Sequence, residues 1–581
     1  MSKIIYVCFK DPSRCNSEIE RKIEIIAQRI TPDNITPRPP KIVLDGGIAY
    51  GIVNPAASIK EDGKSVLLGM AFGEYEKWFE PGQPCPDGSF SIFRSNEQQT
   101  EILTDVAASR SVWYYHDEEI FIASSSQRAI VMMLGNFVFN KEVIPWMLST
   151  GSLGPNLSWD SRINFLSPDS SVVLDHKSWE TKLSCNVIDF APEDLSDAEH
   201  ENRLLTVLTN TFKSLNVDFS KWILPLSGGY DSRGILSLFN FIGTGLKNLR
   251  SITWGLKSVI NQSGNDAYVA RKLAEHYKIN HKYYLTDLSE EPLESIFNRF
   301  LVCGEGRIDH ISGYMDGFEI WKTLHNENIE GIIRGDEGFG WVSVDSSSDV
   351  RSRIGISLCS DFSNLKKCEE LGINENNLPK QLQKKINETL ETWRDRLYHQ
   401  FRIPVVLAAL SDLKFPFVEV INPLLSRKIV YQIRSMPDNL RSNKLLFKKI
   451  VASMSPNIGY ATNGANASIG YILKSKSAID LFKLELNTEN CKTFISDKLI
   501  SYTLENLIAT HGYESKRQNL IRILKRHLPG WIIKKASSLR SVKSVDINFL
   551  AFRIFIICKM KRQLEEDAKV NTYKYNKTGI L

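Results

Sequence analysis

At 581 residues the chain is longer than one compact core accommodates, so two or more domains are expected. Hydrophobic residues at 42%, charged residues at 24% and a net charge of only +5 suit an ordinary globular protein and create no field that would call for nucleic acid or membrane. Nine scattered cysteines without a CxxC pair argue against a zinc site and fit reduced, buried thiols, hence a cytoplasmic setting.

The opening "MSKIIYVCFKDPSR" is cut off by Lys10 and Asp11 and lacks the length and cleavage site of a signal peptide. The first 190 residues then read as short strands rich in Val, Ile, Phe and Tyr: "KIIYVCF", "SVLLGMAF", "FSIFR", "TEILTD", "SVWYYHD", "EIFIASS" and "SSVVLDH". Helical patterning falls on Ser17 to Arg29 and Gln127 to Leu134. Together they predict an α+β domain with antiparallel sheets over 1–190. An acidic, Pro-containing linker follows, and Ser196 with Glu199 three residues on predicts a capped helix that opens a second domain over 196–581.

Beyond the linker the pattern becomes strand, turn, helix. "WILPLS", "LRSITWG", "HKYYLTD" and "IEGIIRGDEGFGW" supply strands, and "DSRGILSLFNFI" and "NDAYVARKLAEHYK" supply helices, so an α/β doubly wound parallel sheet is expected. The Ser-rich "VSVDSSSDVRSR" reads as a loop, either a lid or plain disorder. After about residue 375 the chain is read as mainly helical. No stretch reaches the about 18 apolar residues of a membrane span, and "FLAFRIFIICKM" with Arg553 reads as a buried amphipathic helix. A basic run from Lys516 to Lys543 reads as a solvated helix face or, more sharply, as a dock for an acidic peptide.

Two strand ends carry the chemistry. In "ILPLSGGYDSRGIL", Ser227, Gly228 and Gly229 precede a helix N-terminus, where backbone N–H groups, the Ser227 and Ser232 hydroxyls and the helix dipole suit phosphate. Asp231 would repel a bare phosphate, so it makes sense with a cation between the two, and Mg²⁺ takes carboxylate and phosphate oxygens together. The loop is not a Walker A sequence. In "IIRGDEGFGW", Asp336 and Glu337 follow a second apolar run, after Arg334 and Gly335. Either loop alone reads equally well as a tight turn with a solvated acid. Both in this order inside an alternating pattern favour a metal–phosphate site on Asp231 and Asp336. Arg233 reads as a phosphate contact or as packing, and "GEGRIDHISGYMDGF" between the loops as a weaker candidate for substrate contact.

The S-G-G-x-D-S loop resembles the pyrophosphate loop of N-type ATP pyrophosphatases. With "SITWG", Asp266 before "AYVARKLAEHY", "GDEGFGW" and "INPLLSRKIVYQIRSMPDNLRSNKLLFKKIV", the chain resembles the asparagine synthetase family over nearly its whole length. "DGSFSIFR" and "TDVAASRSVWYYHDEEIFIASSS" resemble the core of that family's N-terminal-nucleophile glutaminase domain. The resemblance implies ATP and Mg²⁺ as cofactors. It places Ser227, Gly228, Gly229, Asp231, Ser232, Trp254 and Gly335 around nucleotide and Asp231 and Asp336 on the metal. It places Asp231, Asp336 and Lys444 in catalysis, and Arg334 beside the second loop is read as a further catalytic candidate.

Glutamine-dependent members carry a Cys after the initiator Met, and here Ser2 stands there, so no glutaminase activity is expected. The implied reaction adenylates a carboxylate and joins it to an amine from a source other than glutamine, as β-lactam synthetases and lasso-peptide macrocyclases do. The tyrosine that β-lactam-forming relatives carry before the second acidic loop is replaced here by Ile333 or Arg334. Arg334, Lys444 and Lys474 are the candidates to supply positive charge, and sequence does not choose among them. One expectation is a peptide macrolactam cyclase acting on a ribosomal precursor peptide beside a partner protease. The others are amidation of a sugar acid or small metabolite, and a non-catalytic nucleotide-binding scaffold. A tRNA substrate is disfavoured because no added RNA-binding domain is evident.

Overall fold

The structure, a computed structural model, describes residues 2–56, 58–466, 469–509 and 543–570. Twelve strands build the N-terminal part: β1 (Lys3–Phe9), β2 (Lys41–Asp45), β3 (Ile48–Val53), β4 (Lys60–Asp62), β5 (Ser65–Ala71), β6 (Gly88–Ser95), β7 (Gln99–Thr104), β8 (Trp113–His116), β9 (Ile120–Ser124), β10 (Asn164–Phe165), β11 (Ser170–Asp175) and β12 (Thr181–Cys185). They form two six-stranded antiparallel sheets, ordered β10-β8-β9-β1-β3-β2 and β12-β11-β7-β6-β5-β4. Strand periodicity sorts their side chains. Ile4, Tyr6 and Cys8 of β1 meet Val66, Leu68, Phe93 and Ile102 between the sheets. Ile5, Val7 and Phe9 face helices α1 (Ser17–Arg29) and α2 (Gln127–Leu134). The β2–β3 hairpin was not expected from sequence. Its signal is the Gly46–Gly47 pair between apolar runs, both glycines at positive φ as a two-residue hairpin turn requires.

Strand β12 ends at Cys185, and helix α3 (Asp197–Lys213) begins under the expected capping box: the Ser196 hydroxyl accepts from Glu199 N–H, and Glu199 accepts from Ser196 N–H at 2.8 Å. Five strands follow, β13 (Trp222–Pro225), β14 (Arg250–Gly255), β15 (Asn280–Leu285), β16 (Gly331–Ile333) and β17 (Glu419–Ile421), all parallel in the order β15-β14-β13-β16-β17. On one face Trp222, Leu224, Ile333 and Ile421 pack with α3, α4 (Tyr230–Phe241), α5 (Asp266–Tyr277), α6 (Arg427–Arg434) and α7 (Leu445–Met454). On the other, Ile223, Ile252, Ile332 and Val420 join the cluster that holds Ile5 and Val7 of β1. The α+β sandwich and the parallel sheet therefore share a continuous core.

The segment after residue 375 is mainly helical, as expected, and also contributes β17, whose three fully buried residues are too few to show a periodicity. Two other expectations change. The Ser-rich stretch expected as a loop forms the helix Ser347–Ile354, because Ser346 caps it by accepting from Asp349 N–H at 3.1 Å and Val350 and Ile354 are buried. The residues of "GEGRIDHISGYMDGF" considered for substrate are mostly spent on the interior. Glu305 pairs with Lys3, Arg307 with Asp412 and Asp309 with Arg553. "FLAFRIFIICKM" lies in α8 (Ile547–Asp567), a helix with most of its apolar side chains buried. Among the described residues no helix is long and apolar enough to cross a membrane. The basic run, apart from Lys543, lies outside the described residues.

Candidate active site

The strand order reverses between β13 and β16, and open α/β sheets bind ligands in the crevice beyond the carboxyl ends at such a point. Both acidic loops emerge there. After β13 the chain passes through Ser227 and Gly228 to Gly229, the N-cap of α4, so Asp231 lies in that helix's first turn. After β16 it passes through Arg334 and Gly335 to Asp336 and Glu337. A Cβ on Gly335 would stand 3.1 Å from Asp231 Cβ and 3.2 Å from Ser232 N, so the missing side chain lets the two loops meet. A Cβ on Gly228 would stand 2.4 Å from Ala461 Cβ, which ties the first loop to the segment after α7.

Each acid carries a cation. Lys444 Nζ lies 2.9 Å from both Asp231 carboxylate oxygens and 2.9 Å from Glu337 Oε1. Arg334 Nε lies 3.3 Å from Asp336 Oδ1, and its buried Nη1 has no hydrogen-bond partner. Lys474 is elsewhere, 3.0 Å from Asp546. Of the three cations left open by the sequence, the fold therefore brings Lys444 and Arg334 to the acids. Burial pushes Asp336 upward against the pull of Arg334, and it pushes Glu337 up to about 7 against the pull of Lys444. Burial alone would lower Lys444, but Glu337 and Asp231 raise it above the usual lysine range. The ammonium is thereby held charged.

The lysine is positioned by strained backbone. Asn443 and Lys444 both have positive φ, 58° and 57°, an uncommon pair for non-glycine residues. The turn is held by Asn443 N–H donating to Trp341 O at 2.8 Å and by Asn443 Nδ2 donating to Ser343 Oγ at 3.2 Å. Gly340 lies under it at φ 110°, where a Cβ would stand 2.3 Å from Arg441 O. Gly340→Ala is expected to cost about 2–3 kcal/mol, read as a lower melting temperature, because neither backbone can yield without moving Lys444.

A lysine that the sequence does not single out, Lys414, is buried behind Arg334 and donates to Tyr314 OH at 2.8 Å. Burial and the neighbouring Arg334 hold it well below the usual lysine range. Its signal in the sequence is one cation inside the apolar run "LAALSDLKFPFV". His399, on the π-helical turn Tyr398–Leu407, donates from Nε2 to Gly338 O at 3.0 Å, and its Nδ1 accepts from Arg434 Nε at 3.4 Å. Burial holds it down at about 3, against about 6.5 for an unfolded histidine. A lowered imidazole value stabilises the fold above the unfolded value, and that contribution is lost as pH falls from about 6.5 toward 3. The melting temperature is expected to drop across that window, and His399→Gln is expected to flatten the drop.

Arg233 packs rather than reaching the loop. Its guanidinium donates to Ile458 O and Gly459 O at 2.7 and 2.8 Å and lies 3.8 Å from the Tyr460 ring centroid, and Tyr460 in turn stacks on Tyr230. Trp254 is half-buried at the end of β14, edge-on to Trp321. Among the described residues no group of three or more His, Cys, Asp or Glu is placed to hold a metal. Two carboxylates on converging loops nevertheless suit Mg²⁺, which characteristically takes one or two protein carboxylates and completes its shell with phosphate and water. Asp231 and Asp336 are the residues that would hold it.

No protein-family model matches the chain, and no curated protein matches it. Among solved structures, the chain is similar to the allosteric regulatory enzyme of purine biosynthesis at 7% identity and a TM-score of 0.20, over 49% of this chain and 80% of that one. It is also similar to glutamine phosphoribosylpyrophosphate amidotransferase from B. subtilis complexed with ADP and GMP, at 8% identity and a TM-score of 0.19, over 48% of this chain and 65% of that one. At those TM-scores neither likeness carries an argument about function.

Proposed function

We infer that the protein is an ATP-dependent carbon–nitrogen ligase that adenylates a substrate carboxylate, releases pyrophosphate and joins the acyl group to an amine not taken from glutamine. The observation that carries this reading is the meeting of the Ser227–Ser232 loop and the Asp336 loop at the reversal of strand order, with Gly335 permitting the contact. The sequence resemblance to the asparagine synthetase family supplies the reaction class.

In this reading the loop amides and the Ser227 and Ser232 hydroxyls bind the β- and γ-phosphates, and Asp231 and Asp336 would hold Mg²⁺, which when bound would supply positive charge against the leaving pyrophosphate. Arg334, with its unpartnered Nη1 beside Asp336, orients the attacking carboxylate. Lys444 stabilises charge as the adenylate forms and as the amine attacks.

Ser2 fits this reading: its side chain is fully buried, and its hydroxyl is engaged with Asn54 O and Ala56 N, which supports a structural role for the N-terminal sandwich. An amine on the same molecule as the carboxylate would give a ring, as in a peptide macrolactam of the lasso type.

The test is pyrophosphate release with ATP and Mg²⁺ across a panel of carboxylates, including peptides with a side-chain carboxylate and a free amino terminus. The expected product is the peptide less one water, with pyrophosphate in equal amount. Product formation that depends on glutamine as nitrogen donor would refute the amine assignment. No turnover with any member, and no loss of ATP binding in Asp231→Ala, would favour the scaffold.

A further inference from the structure

Three successive N–H groups of the phosphate loop already have acceptors within the protein. Ser227 N–H donates to Ser232 Oγ at 3.0 Å, Gly228 N–H to Asp266 Oδ1 at 3.1 Å and Gly229 N–H to Ser227 Oγ at 3.3 Å. Two of these acceptors are hydroxyls, which can turn and donate to an arriving phosphate oxygen. The third is a carboxylate, which can only accept and which repels phosphate.

Asp266 is half-buried, and among the described residues no ion pair compensates it. Burial raises its pKa, with the Gly228 N–H pulling the other way. Its position is tightly set. Its own N–H donates to Asn463 O at 3.0 Å, and Asn265 Nδ2 beside it donates to Gly464 O at 2.9 Å. Ala461 N–H donates to Gly228 O at 3.0 Å, so the 461–464 segment holds the loop and the carboxylate against each other. Across the site, Lys444 sits on both oxygens of Asp231. An internal anion thus occupies an anion-binding N–H, and an internal cation occupies an acid assigned to metal.

The geometry points to Asp266 as an internal competitor for the pyrophosphate site: its carboxylate holds the Gly228 N–H until a phosphate oxygen displaces it, and takes the N–H back when pyrophosphate leaves. The inference rests on the ligase reading of this loop and adds to it a positioning residue that sets pyrophosphate affinity. Asp266 touches the loop rather than the reacting atoms. Its effect is to weaken the product complex and so to speed product release.

Titration calorimetry of inorganic pyrophosphate into the full chain tests this, comparing wild type with Asp266→Ala and Asp266→Asn. Removing a charge-assisted bond that must be broken on binding is expected to tighten pyrophosphate by about tenfold in Asp266→Ala. Asp266→Asn keeps an acceptor and the side-chain volume, and is expected to fall between the two. A structural lesion at this position would weaken binding, so the direction of the change separates competition from damage. If Asp266→Ala fails to fold, tighter binding in Asp266→Asn still supports the inference and equal or weaker binding overturns it. Wild-type binding with no gain in either variant overturns the role of Asp266 and leaves the ligase reading intact. No pyrophosphate binding in any of the three chains overturns both.

Discussion

In Asp231→Ala, ATP-dependent pyrophosphate release is expected to fall by about 10²–10³-fold, with little change in melting temperature. The two halves of this result have different causes. Asp231 stands in the first turn of α4 with its carboxylate a third exposed, and its pairing is with Lys444, which keeps Glu337 after the substitution. A partly exposed pair of this kind contributes little to stability. In the proposed ligase reaction its contribution to turnover is larger, because there the carboxylate would hold the Mg²⁺ that offsets charge on the leaving pyrophosphate. Steady-state pyrophosphate release and thermal denaturation on the same preparation check the two halves together. Turnover near the wild-type rate would remove Asp231 from the chemistry.

Arg110→Ala is expected to cost stability instead, about 3–5 kcal/mol, seen as a large drop in denaturation midpoint. Arg110 Nη2 reaches Glu419 Oε1 and Oε2 at 2.5 and 2.7 Å, its Nη1 donates to Ser2 O at 2.7 Å, and its guanidinium lies 3.8 Å from the Phe415 ring centroid. Both side chains of the ion pair are almost wholly buried. The pair joins the sandwich to β17, so truncating Arg110 leaves a buried carboxylate without the guanidinium that offsets its desolvation. Replacing both charges with apolar residues of similar volume is expected to recover much of the loss, because the cost lies in burying a carboxylate that has lost its guanidinium rather than in the missing contact. A midpoint unchanged in Arg110→Ala would show that the interface does not depend on this pair.

Local signals in the chain were sufficient for much of the architecture. Runs rich in Val, Ile, Phe and Tyr marked β1, β5 to β9 and β11, and α1 and α2 carried their periodicity within their own residues. Ser196 and Glu199 formed their capping box because its partners are three residues apart. β17 and the helix Ser347–Ile354 were missed for opposite reasons. The first is too short to show a period, and the second is polar enough to look like a loop although it buries Val350 and Ile354.

The candidate site divides in the same way. Ser227, Gly228, Gly229, Asp231, Gly335 and Asp336 could be singled out because glycines and acids at the ends of apolar runs need a local reason. The partners of those residues could not be read in this way. Lys444 and Lys474 are both lysines in the C-terminal third of the chain, and only the packing of the 341–343 and 443–444 segments places the first on Asp231 and leaves the second on Asp546. Arg307 and Asp309 looked available for substrate until the shared core turned them toward Asp412 and Arg553. Asp266 lies 38 residues from Gly228, and nothing local to either announces their hydrogen bond. By itself the sequence determined the two kinds of sheet, the two acidic loops and their order, since these depend on periodicity and on neighbours a few residues apart. Which cation meets which acid was decided only by the tertiary structure, because a charge acts on whatever the fold brings within a few ångströms of it.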